Sequence, residues 1–172
     1  MRSLLLVCLT LSFLACGGKA SFSSNEPEWM DTPPELCAVG NTKIRSTPGN
    51  ARKFAVGAAR DELARQLEVK VGNMMKSYLN EGGTMDGDFS EQKLLDVSKQ
   101  VSKQSISGSR REAKYVSTFN GISEMNTLVC LKPGALSDAL DKMKQLGAKA
   151  RKALKQRADE ADAELSKELA NY

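Results

Sequence analysis

Thirty residues, Asn50 to Leu79, carry the pattern that most restricts how this chain can fold. Ala51, Ala55, Ala59, Leu63, Leu67, Val71, Met74 and Tyr78 recur at helical spacing and form one apolar stripe. Arg52, Lys53, Arg60, Glu62, Arg65, Glu68 and Lys76 fall mostly off it. At 1.5 Å per residue such a helix runs about 45 Å, enough to cover a small sheet from end to end. Gly57 and Gly72 each cost about 1 kcal/mol relative to alanine inside a helix. Gly57, flanked by Ala55, Ala58 and Ala59, therefore marks the expected closest approach of helix to sheet. Asp61 and Arg65, acid first and four residues apart, predict an exposed ion pair.

The remaining segments read as what such a helix needs. Cys37 to Asn41 is a short strand ending at Gly40, and Lys43 to Ser46 a polar connection. Thr47-Pro48 starts the long helix with Thr47 as N-cap, Asn50 being the competing cap. A second helix is expected from about Ser90 to Ile106, with Leu94, Val97 and Val101 inward and Asp88 and Glu91 as a capping box. Asn120-Gly121 lies between two strand-like runs, Arg111 to Phe119 and Ile122 to Leu131. Both positions of a two-residue type I′ turn need positive φ, which this pair adopts readily. The turn would set Phe119 against Ile122, Tyr115 against Asn126 and Ala113 against Leu128. Phe119, Tyr115, Ala113, Leu128 and Cys130 are expected to face inward. A further helix resumes at about Ala135, with Leu136, Leu140, Met143 and Leu146 as its stripe. The fold class is α+β: a long helix packed on a small antiparallel sheet, in the order strand, long helix, second helix, hairpin.

Residues 148–172 change character, with Ala, Lys, Arg, Asp and Glu dominant. Leu154, Ala158, Ala161 and Leu165 make a thin seam, too short for a stable coiled coil. A protruding or frayed helix is one reading of this charged tail; a partner-dependent or self-associating helix is the other.

At the opposite end, residues 1–15 read as a signal peptide: Arg2, then a largely apolar run of twelve residues from Leu4 to Ala15. Twelve residues are too few to span a bilayer, which takes about twenty. A bacterial lipoprotein signal is cut before a cysteine that then carries lipid, and Cys16 sits where that cysteine belongs. Ala15, Cys16 and Gly17-Gly18 match such a site; Phe13 and Leu14 stand where leucine and a small residue are usual. Ordinary cleavage near Gly18 or Ala20 would instead leave a soluble secreted protein. Gly17 occupies the position at which aspartate signals inner-membrane retention, which favours the outer membrane. Residues 16–35 form a polar tether, and residues 36–147 the folded domain. Within the tether stands Trp29, the single tryptophan. It either caps the edge of the core or presents an exposed aromatic for partner contact.

With Cys8 removed and Cys16 lipidated, Cys37 and Cys130 remain. They are a disulfide pair of an exported protein or two buried thiols. No histidine occurs, so the commonest general base and metal ligand are both missing. The net charge of +4 is too small and too dispersed to indicate nucleic acid. Asp86-Gly87-Asp88 lacks the ligand number and the distal glutamate of a calcium loop. No cofactor is implied.

Pro27-Glu28-Trp29, Ala38-Val39-Gly40, Ala51-Arg52-Lys53-Phe54-Ala55 and Ala59-Arg60-Asp61-Glu62-Leu63-Ala64 together resemble the Lpp-twenty family of bacterial outer-membrane lipoproteins. The resemblance covers about Glu26 to Pro133 and leaves residues 148–172 aside. It implies a two-layer α+β domain on a lipid anchor, some relatives being accessory parts of flagellar or envelope assemblies. It brings no catalytic residues. The expected function is a non-enzymatic envelope lipoprotein that binds or assembles with other envelope proteins. A small-ligand carrier is the alternative. An enzyme would have to rely on carboxylates, or on Ser107 or Ser109 with Lys103 or Lys114 as base.

Overall fold

A computed structural model describes residues 26–85 and 90–170. The segment 1–15, Cys16, and the Asp86-Gly87-Asp88 loop with Asp88 of the expected capping box lie outside the described residues. Three antiparallel strands, β1 (Cys37–Lys43), β2 (Ser109–Phe119) and β3 (Ile122–Leu131), form a sheet in the order β1-β3-β2. Among the described residues four α-helices accompany it: α1 (Pro48–Asn80), α2 (Glu91–Ile106), α3 (Ala135–Asp141) and α4 (Ala148–Leu169). The fold is α+β, with the long helix laid on the small sheet and a C-terminal helix beside it.

Helix α1 begins as its sequence dictates. Thr47 is the N-cap, its side-chain oxygen accepting from the Asn50 backbone N–H at 3.3 Å, and Asn50 lies inside the helix. The buried line runs Ala51, Ala55, Ala59, Leu63, Leu67, Val71, Met75, Tyr78. Met75 replaces the expected Met74 because the line keeps a spacing of four. Each such step turns it by about 40°, so from Ala51 to Met75 it winds through roughly 240°. One helix thus presents its first half to the sheet and turns its second half toward α2 and α4.

The close approach of helix to sheet is made by a glycine of the strand, not of the helix. A Cβ on Gly40 would lie 2.2 Å from the Ala55 carbonyl oxygen and 2.2 Å from the Ala59 nitrogen. Gly57 faces open space, and Gly72 only meets the Ser98 hydroxyl at contact distance. The pairing of Asp61 with Arg65 also gives way: Arg65 binds Glu62, one turn back on the same helix.

The hairpin follows its turn chemistry. Asn120 and Gly121 take φ of 49° and 76°, and the pairs Phe119–Ile122, Tyr115–Asn126 and Ala113–Leu128 all form. A bulge lies between Arg111 and Ala113. Leu128 and Cys130 are buried and Ala113 and Tyr115 half-buried. Phe119 is 72 % exposed, against expectation. It lies on the face turned away from α1: Met125, the partner of Val116, packs with Ala51 and Ala55, and Phe119 alternates to the other side. Cys37 stands directly opposite Cys130 on β1 and β3, and the two form a disulfide across 93 residues.

Helix α2 runs antiparallel to the second half of α1, with Ser102 Oγ donating to the Ala64 carbonyl at 2.8 Å. Its N-cap is Ser90, which accepts from the Lys93 N–H at 3.3 Å. Helix α3 stops at Asp141; Met143 and Leu146 are buried in the loop that follows rather than on a continued helix.

The C-terminal helix neither protrudes nor frays. Ala150, Leu154, Ala158, Ala161 and Leu165 of α4 belong to the main core, so the seam is covered by the chain itself. Arg157 Nη1 donates to the Met74 carbonyl at 3.1 Å, and Glu168 Oε2 accepts the Glu35 backbone N–H at 3.1 Å. Residues outside the expected 36–147 domain also join the core. A 3₁₀ turn, Glu28–Met30, already carries Trp29 into the core, and α4 is a full member of the domain.

Candidate interaction surface

The stripe of α1 leaves an outer face from Glu62 to Ser77, bordered by α4 on one side and α2 on the other. Toward α4 lies an open cleft of about 830 Å³ whose lining includes Glu35, Glu62, Arg65, Val69, Lys70 and Arg157. Toward α2 lies a narrower groove of about 260 Å³, whose lining includes apolar Val69, Leu94 and Leu95 and charged Glu68, Lys76 and Glu91. Val69 and Asn73 belong to both, so they form the ridge between them. Val69 is 63 % exposed and Leu95 50 %. Neither residue was singled out from sequence. The available signal was their position: each is a large apolar residue two or one places off its helix's buried line.

Charges around the cleft are held in pairs. Lys70 donates to Glu35, and Arg65 to Glu62. The Glu62 carboxyl is held below the usual carboxylate range, chiefly by the Arg65 hydrogen bond and then by Gln66 Nε2 at 3.2 Å. Arg157 Nη2 reaches Glu81 Oε2 at 2.5 Å. What this face offers is apolar contact framed by charge of both signs. The serines considered for catalysis are engaged elsewhere. Ser109 Oγ accepts from Arg60 Nε at 3.1 Å, and Ser107 Oγ donates to the Gln104 carbonyl at 2.6 Å. Among the described residues no group of three or more carboxylates or thiols is placed to hold a metal ion.

Of the residues singled out from sequence, Cys37 and Cys130 are brought together as a disulfide. Trp29 is 5 % exposed and packs in the core, so the exposed-aromatic reading gives way to the edge-capping one. The 3₁₀ turn that carries Trp29 lies against β3, so the indole buries its apolar surface in the main core.

One buried acid was not anticipated. Asp162 on α4 is 6 % exposed; its Oδ2 accepts the N–H of Gly134, a residue at φ 81°, at 2.8 Å, while Oδ1 has no partner. Burial raises its pKa above the ordinary 3.8. The Gly134 hydrogen bond opposes this, Asp159 and Asp138 reinforce it, and Lys70 opposes it. A carboxyl raised on folding binds more protons in the native state than in the unfolded one. Its contribution is therefore most favourable below pH 3.8 and is lost as pH rises through the folded value. Asp162→Asn should remove that acid-side gain. Urea midpoints measured across acidic pH are expected to show a stability difference between variant and wild type that changes through this window. Parallel curves would contradict the assignment.

No family model matches this chain. No curated protein matches it either.

Proposed function

We propose that this protein is a non-enzymatic, lipid-anchored component of the bacterial outer membrane that binds or assembles with other envelope proteins. The observation that carries this reading is the Cys37–Cys130 disulfide, because such bonds persist in oxidising compartments outside the cytoplasm. The signal-like run ending at Cys16 and the resemblance to Lpp-twenty lipoproteins support the same location. Several acyl chains at Cys16 would anchor the chain durably, at about 0.8 kcal/mol per buried CH₂.

For the binding role, the α1–α2 groove fits an amphipathic helix of an envelope protein. Two antiparallel helices border it, and its lining offers Val69, Leu94 and Leu95 to apolar contact, Glu68 and Glu91 to a partner's cations and Lys76 to an anion. Two measurements test the two halves. A palmitate analogue fed to cells should label wild type and leave Cys16→Ser unlabelled; label on neither form ends the anchored reading. A photo-crosslinker placed at Val69 should capture an envelope protein that one placed at the distant, exposed Arg111 does not. Capture of the same proteins from both positions would defeat the groove assignment.

A further inference from the structure

We propose that the end of the domain opposite the disulfide docks on an anionic lipid headgroup layer, as a contact separate from any acyl chain at Cys16. Three segments meet there: the hairpin tip, the exit of β1 and the first turns of α1. The Ile44 N–H donates to the Ser123 carbonyl at 2.8 Å, and Ile44 packs with Ala51, Ala55 and Met125 in a small cluster apart from the main core.

Single exposed apolar residues are ordinary, but here they concentrate. Of six exposed large apolar side chains among the described residues, four lie in these segments: Phe54, Val116, Phe119 and Ile122. Charge concentrates at the same end. Lys43, Arg45, Arg52 and Lys53 are all exposed, and none is in an ion pair with a described residue. Residues 43–54 and 116–125 hold these four cations against one acid, Glu124, a net +3 of the +4 carried by the whole chain.

The shape selects the partner. Phe119 and Ile122 are paired on one face of the hairpin, and Val116, three residues from Phe119, faces the other way. Phe54 projects from the helix. A folded protein would have to wrap a convex tip to cover all four. A fluid headgroup layer closes around such a tip, taking the rings at the acyl boundary while the cations meet phosphates. On the anchored reading proposed above, the ten residues from Cys16 to Glu26 span at most about 36 Å, so the tip would stay within reach of the bilayer. The lipid contact itself does not need that anchor.

The test uses the full chain carrying Phe119→Trp, compared with wild type, in which buried Trp29 supplies the background emission. Vesicles of brominated phosphatidylcholine are prepared with and without phosphatidylglycerol. The introduced tryptophan should be blue-shifted and quenched on the anionic vesicles and little affected on the neutral ones. Reversing Lys43, Arg45, Arg52 and Lys53 to glutamate should weaken that quenching titration about tenfold or more, with the melting curve retained. Running the same titration on Cys16→Ser separates the two readings. Quenching that persists there supports the tip contact even if palmitate labelling fails. An introduced tryptophan that stays unquenched on anionic vesicles overturns the proposal even if labelling succeeds. A concentration-dependent blue shift without lipid would assign the tip to a second copy of the chain and overturn it equally.

Discussion

Gly40→Ala is expected to destabilise the protein by about 3–5 kcal/mol, the range in which a buried clash outranks ordinary surface change. The added methyl would sit 2.2 Å from two backbone atoms of α1, the Ala55 carbonyl oxygen and the Ala59 nitrogen. Backbone atoms in a helix cannot rotate aside, so helix and strand would have to separate. That separation would loosen Ala55, Ala59 and the neighbouring Ala38 and Val129, all of them fully buried. For a domain of this size the shift corresponds to a fall in Tm of about 6 °C or more. Gly57→Ala is the matching control on the helix side. It meets open space, and should gain up to about 1 kcal/mol from helix propensity. Urea unfolding of both variants checks the pair. Equal midpoints for Gly40→Ala and wild type would show that helix and strand do not approach this closely.

The contrast between those glycines shows what the sequence could convey. A glycine signals that a backbone position is special, but not which of two packed elements needs the space. Gly57 stands in a run of small residues and invites the assignment, whereas Gly40 stands at the end of a short strand where a turn is the simpler explanation. Local chemistry was legible where the cause was local. Asn120-Gly121 predicts two positive φ values, and the hairpin register follows residue by residue. Thr47-Pro48 predicts the start of α1.

Tertiary choices were not legible in the same way. Leu154, Ala158, Ala161 and Leu165 read as a thin seam on a charged helix whether or not anything covers them. What decides is the winding of the α1 stripe, which turns its second half away from the sheet and leaves room for α4. Trp29 was equivocal for the same reason, since its burial depends on how much of the strand surface remains uncovered. The candidate groove was harder still. Its apolar lining residues Val69 and Leu95 are conspicuous only once the true buried lines of α1 and α2 are known.

The two surfaces proposed here fit one orientation. The first turns of α1, Pro48 to Phe54, lie at the basic, phenylalanine-bearing end, and residues 68–76 lie about 14 to 28 residues further on, roughly 21–42 Å along the helix. A domain seated by its hairpin tip would hold the α1–α2 groove clear of the headgroups, open to a protein partner. The long helix would then act as a spacer as well as a lid on the sheet. Charge reversal at the tip and crosslinking at Val69 should accordingly be separable, because they touch opposite halves of α1.

Loss of the Cys37–Cys130 bond is the second large effect expected, at about 4–5 kcal/mol on the chain-entropy estimate for a loop of 93 residues. The bond ties the first strand to the end of the last and encloses α1, α2 and the hairpin. Without it the unfolded chain recovers the freedom of that entire loop, while the native ladder between β1 and β3 is unchanged in sequence. Both cysteines are buried, so the Cys37→Ala/Cys130→Ala pair removes the link and with it the packing of two sulfur atoms. Its urea midpoint should fall well below that of oxidised wild type and close to that of wild type in reductant. Peptide mapping after alkylation of the unreduced protein unfolded in urea should find Cys37 and Cys130 protected. Two alkylated thiols there, or a double variant as stable as the oxidised protein, would remove the bond from the account of stability and with it the main support for an oxidising compartment.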